Sequence, residues 1–411
     1  METVALAPPM RRLPRAWRID LPGGAWAIVA VYAAMLIGVA LAVPFPNWID
    51  ELGHFSMIRA HVDAPTLFPD WSSYRMLDVA DLSRWSDDPN YINHPALYYL
   101  LLAPLFALSA DPLLFRLVNA AMAAGALVLM LVTVRRRCGD AVSPVWFGFA
   151  AAAFPKAVVV GGAINNDNLA MLAASFLFAG VMGMPGAGWW LLAGLAMAGW
   201  TKLTAFVALS AVAGCWLALR MVRGEVRWSD PLIGCAGAGV IIGAVPYLVT
   251  LARTGSLVWV HAATWYVPPG ERAALDFPGF VAYFLRTVAH KWSAAEGAFP
   301  VWVVAAVLAL MAGTAVLGAR ARVARLPVLA YGFGTAMLFA IHLIFGWRSF
   351  EALGDLTIAQ ARYYNILWPG VALGIAAGLT AAELRWRPAP WIVAVPMAMM
   401  TLAGAVLIVS L

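Results

Sequence analysis

A succession of apolar runs, most of them about 17 to 25 residues long, constrains this chain more than any other feature of its sequence. A run of that length can cross a bilayer as a helix, and inside lipid the backbone must satisfy its own hydrogen bonds. The runs lie near 25–43, 113–134, 143–161, 168–184, 188–201, 203–219, 231–251, 300–318, 328–346, 363–381 and 390–410. They predict an all-α, polytopic integral membrane protein of about eleven transmembrane helices, with residues 1–411 forming a single membrane domain.

Composition agrees. The chain is 63% hydrophobic and 12% charged, and its mean hydropathy is +0.81. No stretch is polar and long enough to form a separate soluble domain. A net charge of +6 could point to nucleic acid, but the basic residues, of which only three are lysine, sit in short clusters between apolar runs. That distribution is the one membrane topology predicts, so nucleic acid is excluded as a partner. With the N-terminus inside, Arg11, Arg12, Arg15 and Arg18, then Arg135–Arg137, then Arg220, Arg223 and Arg227, then Arg320, Arg322 and Arg325, and finally Arg385 and Arg387 all fall on one side. Asp50, Glu51, Asp63, Asp70, Asp78, Asp81, Asp87 and Asp88 fall on the other.

The first run is too long for a signal-peptide core, and Val43-Pro44-Phe45-Pro46 is a poor cleavage site, so it reads as an uncleaved helix. Cys138, Cys215 and Cys235 lie in or beside runs and define no disulfide framework. There is no phosphate-binding G-x-x-x-x-G-K-[ST] loop and no internal repeat.

Polar material concentrates in two outer loops, over 44–112 and 252–300. The first predicts amphipathic helices near 50–62 and 74–86 and an interfacial helix over 95–109. That helix would be capped by Asn93 or His94, with Pro95 at its first position and Pro104 interrupting it. The second contains Trp265-Tyr266-Val267-Pro268-Pro269. A last outer loop is expected to hold Arg348, Glu351, Asp355, Gln360 and Arg362. Two crossings must share the stretch from Gly188 to Arg220, so both are short, and Thr201-Lys202-Leu203-Thr204 sinks below the outer surface.

Several polar groups then face the same side. Asp50 and Glu51 can be a helix cap and its dipole partner. Equally, with His54 one turn away, a partly desolvated carboxylate there can act as general base toward a hydroxyl. Asn165-Asn166-Asp167-Asn168 reads either as a tight turn or as a source of acceptors and one charge for a buried site. Lys202 and Arg362, the latter next to Tyr363, are either snorkelling cations or a phosphate-binding pair. His94 is either a cap or a site residue. Asp50, Glu51, His54 and Asp167 are also of the right type to hold Mg²⁺ or Mn²⁺, although no zinc-like Cys/His spacing is present.

Taken in order, the acidic pair after the first span, His94-Pro95-Ala96-Leu97-Tyr98, the Asn-Asn-Asp turn, Thr-Lys-Leu-Thr and Arg362-Tyr363 resemble bacterial GT-C superfamily glycosyltransferases. The resemblance is to compact members related to aminoarabinose-lipid A and protein O-mannosyl transferases, and it spans roughly residues 25 to 381. It implies an inverting enzyme that moves a sugar from a polyprenyl-phosphate donor to an envelope acceptor, outside the bacterial cytoplasmic membrane. Carried over by motif, Asp50 is the base with Glu51 beside it, and Asp167 is a second acid of the site. Lys202 and Arg362 are partners of the donor phosphate, with His54, His94 and Tyr363 lining the substrate site. The single proline of His94-Pro95-Ala96-Leu97, where relatives carry two, and the lack of a soluble C-terminal domain leave the acceptor open. A transporter or flippase of a lipid-linked sugar could use the same groups without making a bond. A structural subunit of an envelope assembly would leave the charged cluster unexplained.

Overall fold

The computed structural model describes residues 19–46, 50–258, 267–292, 297–354, 356 and 359–410. Arg11, Arg12, Arg15, Arg18, the 47–49 stretch, Trp265, Tyr266 and Asp355 lie outside the described residues. The chain is a helical bundle: α1 (Gly23–Ala42), α4 (Pro112–Cys138), α5 (Pro144–Ala152), α6 (Pro155–Gly161), α7 (Asp167–Val181), α8 (Ala187–Gly199), α9 (Leu203–Val222) and α10 (Pro231–Thr254) come first. They are followed by α11 (Phe277–His290), α12 (Val301–Gly318), α13 (Arg322–Leu353), α14 (Trp368–Arg385) and α15 (Ala389–Ser410). Between α1 and α4 lie α2 (Glu51–Asp63), the strands β1 (Arg75–Leu77) and β2 (Trp85–Pro89), and α3 (Leu97–Leu102).

Among the described residues, seven helices are long and apolar enough to cross a membrane. Of the other four expected crossings, the last is the 22-residue α15, and those over 168–184 and 188–201 are the shorter α7 and α8. Residues 143–161 form two helices rather than one, because Pro155 has no N–H and holds Phe154 in an extended conformation (φ −80°, ψ 109°). α8 has 13 residues and rises only about 20 Å. The 32-residue α13, rising about 48 Å, carries Arg348 and Glu351 on a helix rather than in the expected loop.

The loop over 44–112 departs from expectation at two places. The helix expected near 74–86 is an antiparallel hairpin of β1 and β2. Asp78 Oδ1 accepts from Ala80 N at 2.9 Å and Asp81 Oδ1 from Ser83 N at 3.1 Å, so local side-chain turns take the place of the helical ladder. The interfacial helix starts at Leu97 with Ala96 as its cap, not at Asn93 or His94. It tightens into a 3₁₀ turn over Ala103–Ala107, where Pro104 cannot donate. The loop has its own apolar core: Phe55, Met57, Ile58, Trp71, Ile92, Tyr98 and Tyr99 pack with Phe115 of α4 and Leu169 of α7. Burying those rings against the bundle seats the loop on the ends of α4 and α7.

Arginine clusters mark the opposite end. Arg137 Nε donates to Met182 O at the C-terminus of α7, and Arg135 and Arg136 line a cavity with Ile19 and Asp20 at the start of α1.

Candidate functional site

Asp50 sits where the chain turns from α1 into α2, in the left-handed region (φ 64°, ψ 17°). Among the described residues it is the one non-glycine residue there; Asp tolerates this region because its short polar side chain bonds locally. Its Oδ1 accepts from the Tyr91 hydroxyl at 2.9 Å, and its Oδ2 accepts from Arg362 Nη2. Arg362 stands in the 3₁₀ turn Ala361–Leu367 that leads into α14, and His342 Nδ1, 3.1 Å from the Tyr364 hydroxyl, ties that turn to α13.

From Arg362 the chain of charges continues inward. Its Nε lies 4.0 Å from Asp167 Oδ2, and Asp167 Oδ1 accepts from Lys202 Nζ at 2.6 Å. Asp167 opens α7, where the helix dipole favours an acid, and its backbone N–H donates to Asn165 Oδ1 at 2.9 Å. The turn reading and the charge reading of Asn165–Asn168 therefore coexist. Asn166 donates to Thr201 O at 3.1 Å and Asn168 to Asn119 Oδ1 at 2.9 Å, locking the turn onto its neighbours. Lys202 is the extended residue before α9, in the gap left by the short α8. The Tyr363 ring underlies both cations, 4.7 Å from Lys202 Nζ and 5.8 Å from Arg362 Cζ.

The four charged side chains are thus one alternating chain, Asp50–Arg362–Asp167–Lys202. Asp50 is 26% exposed, while Arg362, Lys202 and Asp167 are 10%, 8% and 5% exposed. Burial pushes the Asp50 carboxyl up, but the Arg362 guanidinium, assisted by His54 and Tyr91, outweighs it and holds Asp50 well below the usual carboxylate range. Burial pulls the Lys202 ammonium down, against the support of Asp167.

Beside Asp50, the His54 ring stacks on His94 with centroids 5.9 Å apart, and its Nδ1 is 3.1 Å from the Tyr99 hydroxyl. Burial, reinforced by Lys202 and Arg362, holds His54 neutral down to about pH 3, and burial keeps His94 well below its ordinary value too.

Glu51 is not part of this chain. It is fully buried, with Oε2 2.6 Å from Arg116 Nη2 and Oε1 accepting from Arg116 Nε at 2.8 Å and from Ile164 N at 2.9 Å. The same guanidinium donates to the Ala40 and Val43 carbonyls at the end of α1 at 3.0 and 2.6 Å. Glu51 and Arg116 therefore clamp α1, α2, α4 and the turn before α7, fixing the bend on which Asp50 stands. Asp50, Glu51 and Asp167 are drawn to three different cations, and among the described residues no group of three or more metal-ligating side chains gathers. As placed, they do not make a ligand set for Mg²⁺ or Mn²⁺.

Sequence reasoning missed Arg116 and Tyr91. An arginine one turn inside an apolar run needs a buried partner, which was the available signal for Arg116. Tyr91 carries no local signal.

No family model matches the chain, and no curated protein matches it. Among solved structures it is similar to ArnT from Cupriavidus metallidurans in the apo state, with a TM-score of 0.52 and 17% identity over 90% of this chain and 62% of that one. The S. cerevisiae protein O-mannosyltransferase Pmt1-Pmt2 complex bound to the sugar donor also matches, with a TM-score of 0.38 and 17% identity over 61% of this chain and 36% of that one. This chain spans about three fifths of the length of the ArnT chain. It is a multi-pass helical membrane protein with a GT-C-type fold.

Proposed function

We propose that the chain is an inverting glycosyltransferase, moving a sugar from a polyprenyl-phosphate donor to a hydroxyl of an envelope lipid, glycan or protein. The proposed setting is the extracytoplasmic face of a bacterial cytoplasmic membrane. One observation carries this reading: Asp50, the single partly open acid of the cluster, shares one short chain of charges with two cations stacked over Tyr363. The GT-C-type fold supports it.

In this reading the acceptor hydroxyl attacks the anomeric carbon, its proton passes to Asp50, and the bond from that carbon to the phosphate oxygen breaks. Arg362 and Lys202 face the charge that builds on the departing polyprenyl phosphate, and no nucleotide pocket is required. The buried His54 and Tyr99, with the half-buried His94, wall the base from bulk water. Glu51 acts through the position of Asp50 rather than on substrate.

The test is incubation of reconstituted protein with a panel of polyprenyl-phosphate sugars, followed by mass spectrometry of lipid and glycan products. Asp50→Asn is expected to lose about 10²-fold or more of transfer while the protein stays folded. Undiminished transfer by that variant removes Asp50 as base. Movement of the donor across the membrane with no new glycosidic bond replaces the enzyme by a transporter.

A further inference from the structure

Resting on that reading, we infer that Asp50 occupies the donor's place: its carboxylate sits on Arg362 where the donor phosphate binds, so an incoming donor displaces the base and thereby frees it for proton transfer.

The argument begins with charge. Two acids and two cations cancel, and each cation is already paired, Arg362 with Asp50 and Lys202 with Asp167. A phosphate monoanion entering this cluster meets no unclaimed cation, so one carboxylate has to yield. A guanidinium edge fits a carboxylate and a phosphate in the same planar, two-pronged manner, which makes the two anions direct competitors for Arg362.

Geometry decides which acid gives way. Asp167 is 5% exposed, begins α7, and holds Lys202 at 2.6 Å; withdrawing it would strand a buried lysine. Asp50 is 26% exposed and stands on a bend rather than inside a helix. The Tyr91 hydroxyl remains as its hydrogen-bond partner after Arg362 has gone. Once released, Asp50 loses the cation that depressed its basicity, and its affinity for the acceptor's proton rises toward that of an ordinary carboxylate. Phosphate binding and activation of the base are then a single exchange of partners on Arg362.

The test measures binding of polyprenyl phosphate to the purified full-length chain in lipid nanodiscs. Asp50→Asn and Asp50→Gly both suit the left-handed backbone, so both variants keep the bend while removing the competing charge. Each is expected to bind about five- to a hundredfold more tightly than the wild type. Asp50→Glu, which keeps the charge, stays near wild type, and adding Arg362→Ala to Asp50→Asn cancels the gain. Binding by both charge-removing variants no tighter than wild type overturns the displacement. If Asp50→Asn also lacks transfer, that result leaves the base assignment standing. Tighter binding with undiminished transfer supports the displacement and overturns the base. No binding of polyprenyl phosphate by any form, wild type included, overturns both.

Discussion

Histidines next to a proposed base invite assignment as acids or bases, but His54 and His94 are held neutral by burial. The unfolded chain protonates its histidines near pH 6.5, whereas folded His54 resists protonation down to about pH 3. Because their folded pKa values are depressed, the unfolded state takes up more protons in this window, and stability falls as pH drops from about 6.5 toward 3. The slope is up to about 1.4 kcal/mol per pH unit for each histidine. Asp50, also depressed, begins to lose its contribution only as pH falls through the ordinary carboxylate range, so it adds little at the upper end of this window. Thermal unfolding midpoints from pH 7.5 to 5 should therefore decline, and His54→Gln should flatten the decline; an unchanged slope in that variant contradicts the account. Glu51 teaches the complementary lesson. Adjacent to Asp50 in sequence, it is turned by one residue of left-handed backbone toward a different cation, and no spacing rule distinguishes the two acids.

Elements follow the sequence closely where periodicity is long and depart from it where single residues overrule it. Nearly every long apolar run is a helix within a few residues of expectation, because a backbone in lipid has no other local solution. The hairpin at 75–89 and the break between α5 and α6 were legible in principle, through the Asp and Ser side-chain turns and Pro155. Close packing of small residues then joins the helices. A Cβ on Gly318 would stand 1.9 Å from Gly374 O, and one on Gly199 would stand 2.3 Å from the Gly243 backbone, so α12 meets α14, and α8 meets α10, at backbone distance. Gly318→Ala should force α12 and α14 apart at a cost of about 1–3 kcal/mol. Gly313→Ala, on the same helix with nothing within 4 Å, should cost nothing. Equal thermal midpoints for the two variants would show that the close approach carries no weight.

For the whole molecule, the bundle has two chemically distinct ends. Asp50, Asp167, Lys202, Arg362 and the loop core lie at one, while Arg135–Arg137, Asp20 and the C-terminus of α7 lie at the other. With the arginine end facing the cytoplasm, a membrane-impermeant maleimide should label Ser83→Cys in intact cells and reach Gly224→Cys only after permeabilisation; both positions are exposed. The reverse pattern would turn the site inward and remove the extracytoplasmic assignment.

Apolar run length by itself determined that this is a multi-pass helical membrane protein, and arginine bookkeeping, with the N-terminus inside, predicts the outer side for Asp50, Asp167, Lys202 and Arg362. Both signals are additive over the chain, so they survive in one dimension. Only the tertiary structure decided how those charges pair: that Arg362 bridges Asp50, more than three hundred residues away in sequence, to Asp167, and that Arg116 takes Glu51 out of the group. Pairing depends on which side chains meet within a few ångströms in a medium of low polarity, and such distances are set by packing between helices rather than by the order of residues along them.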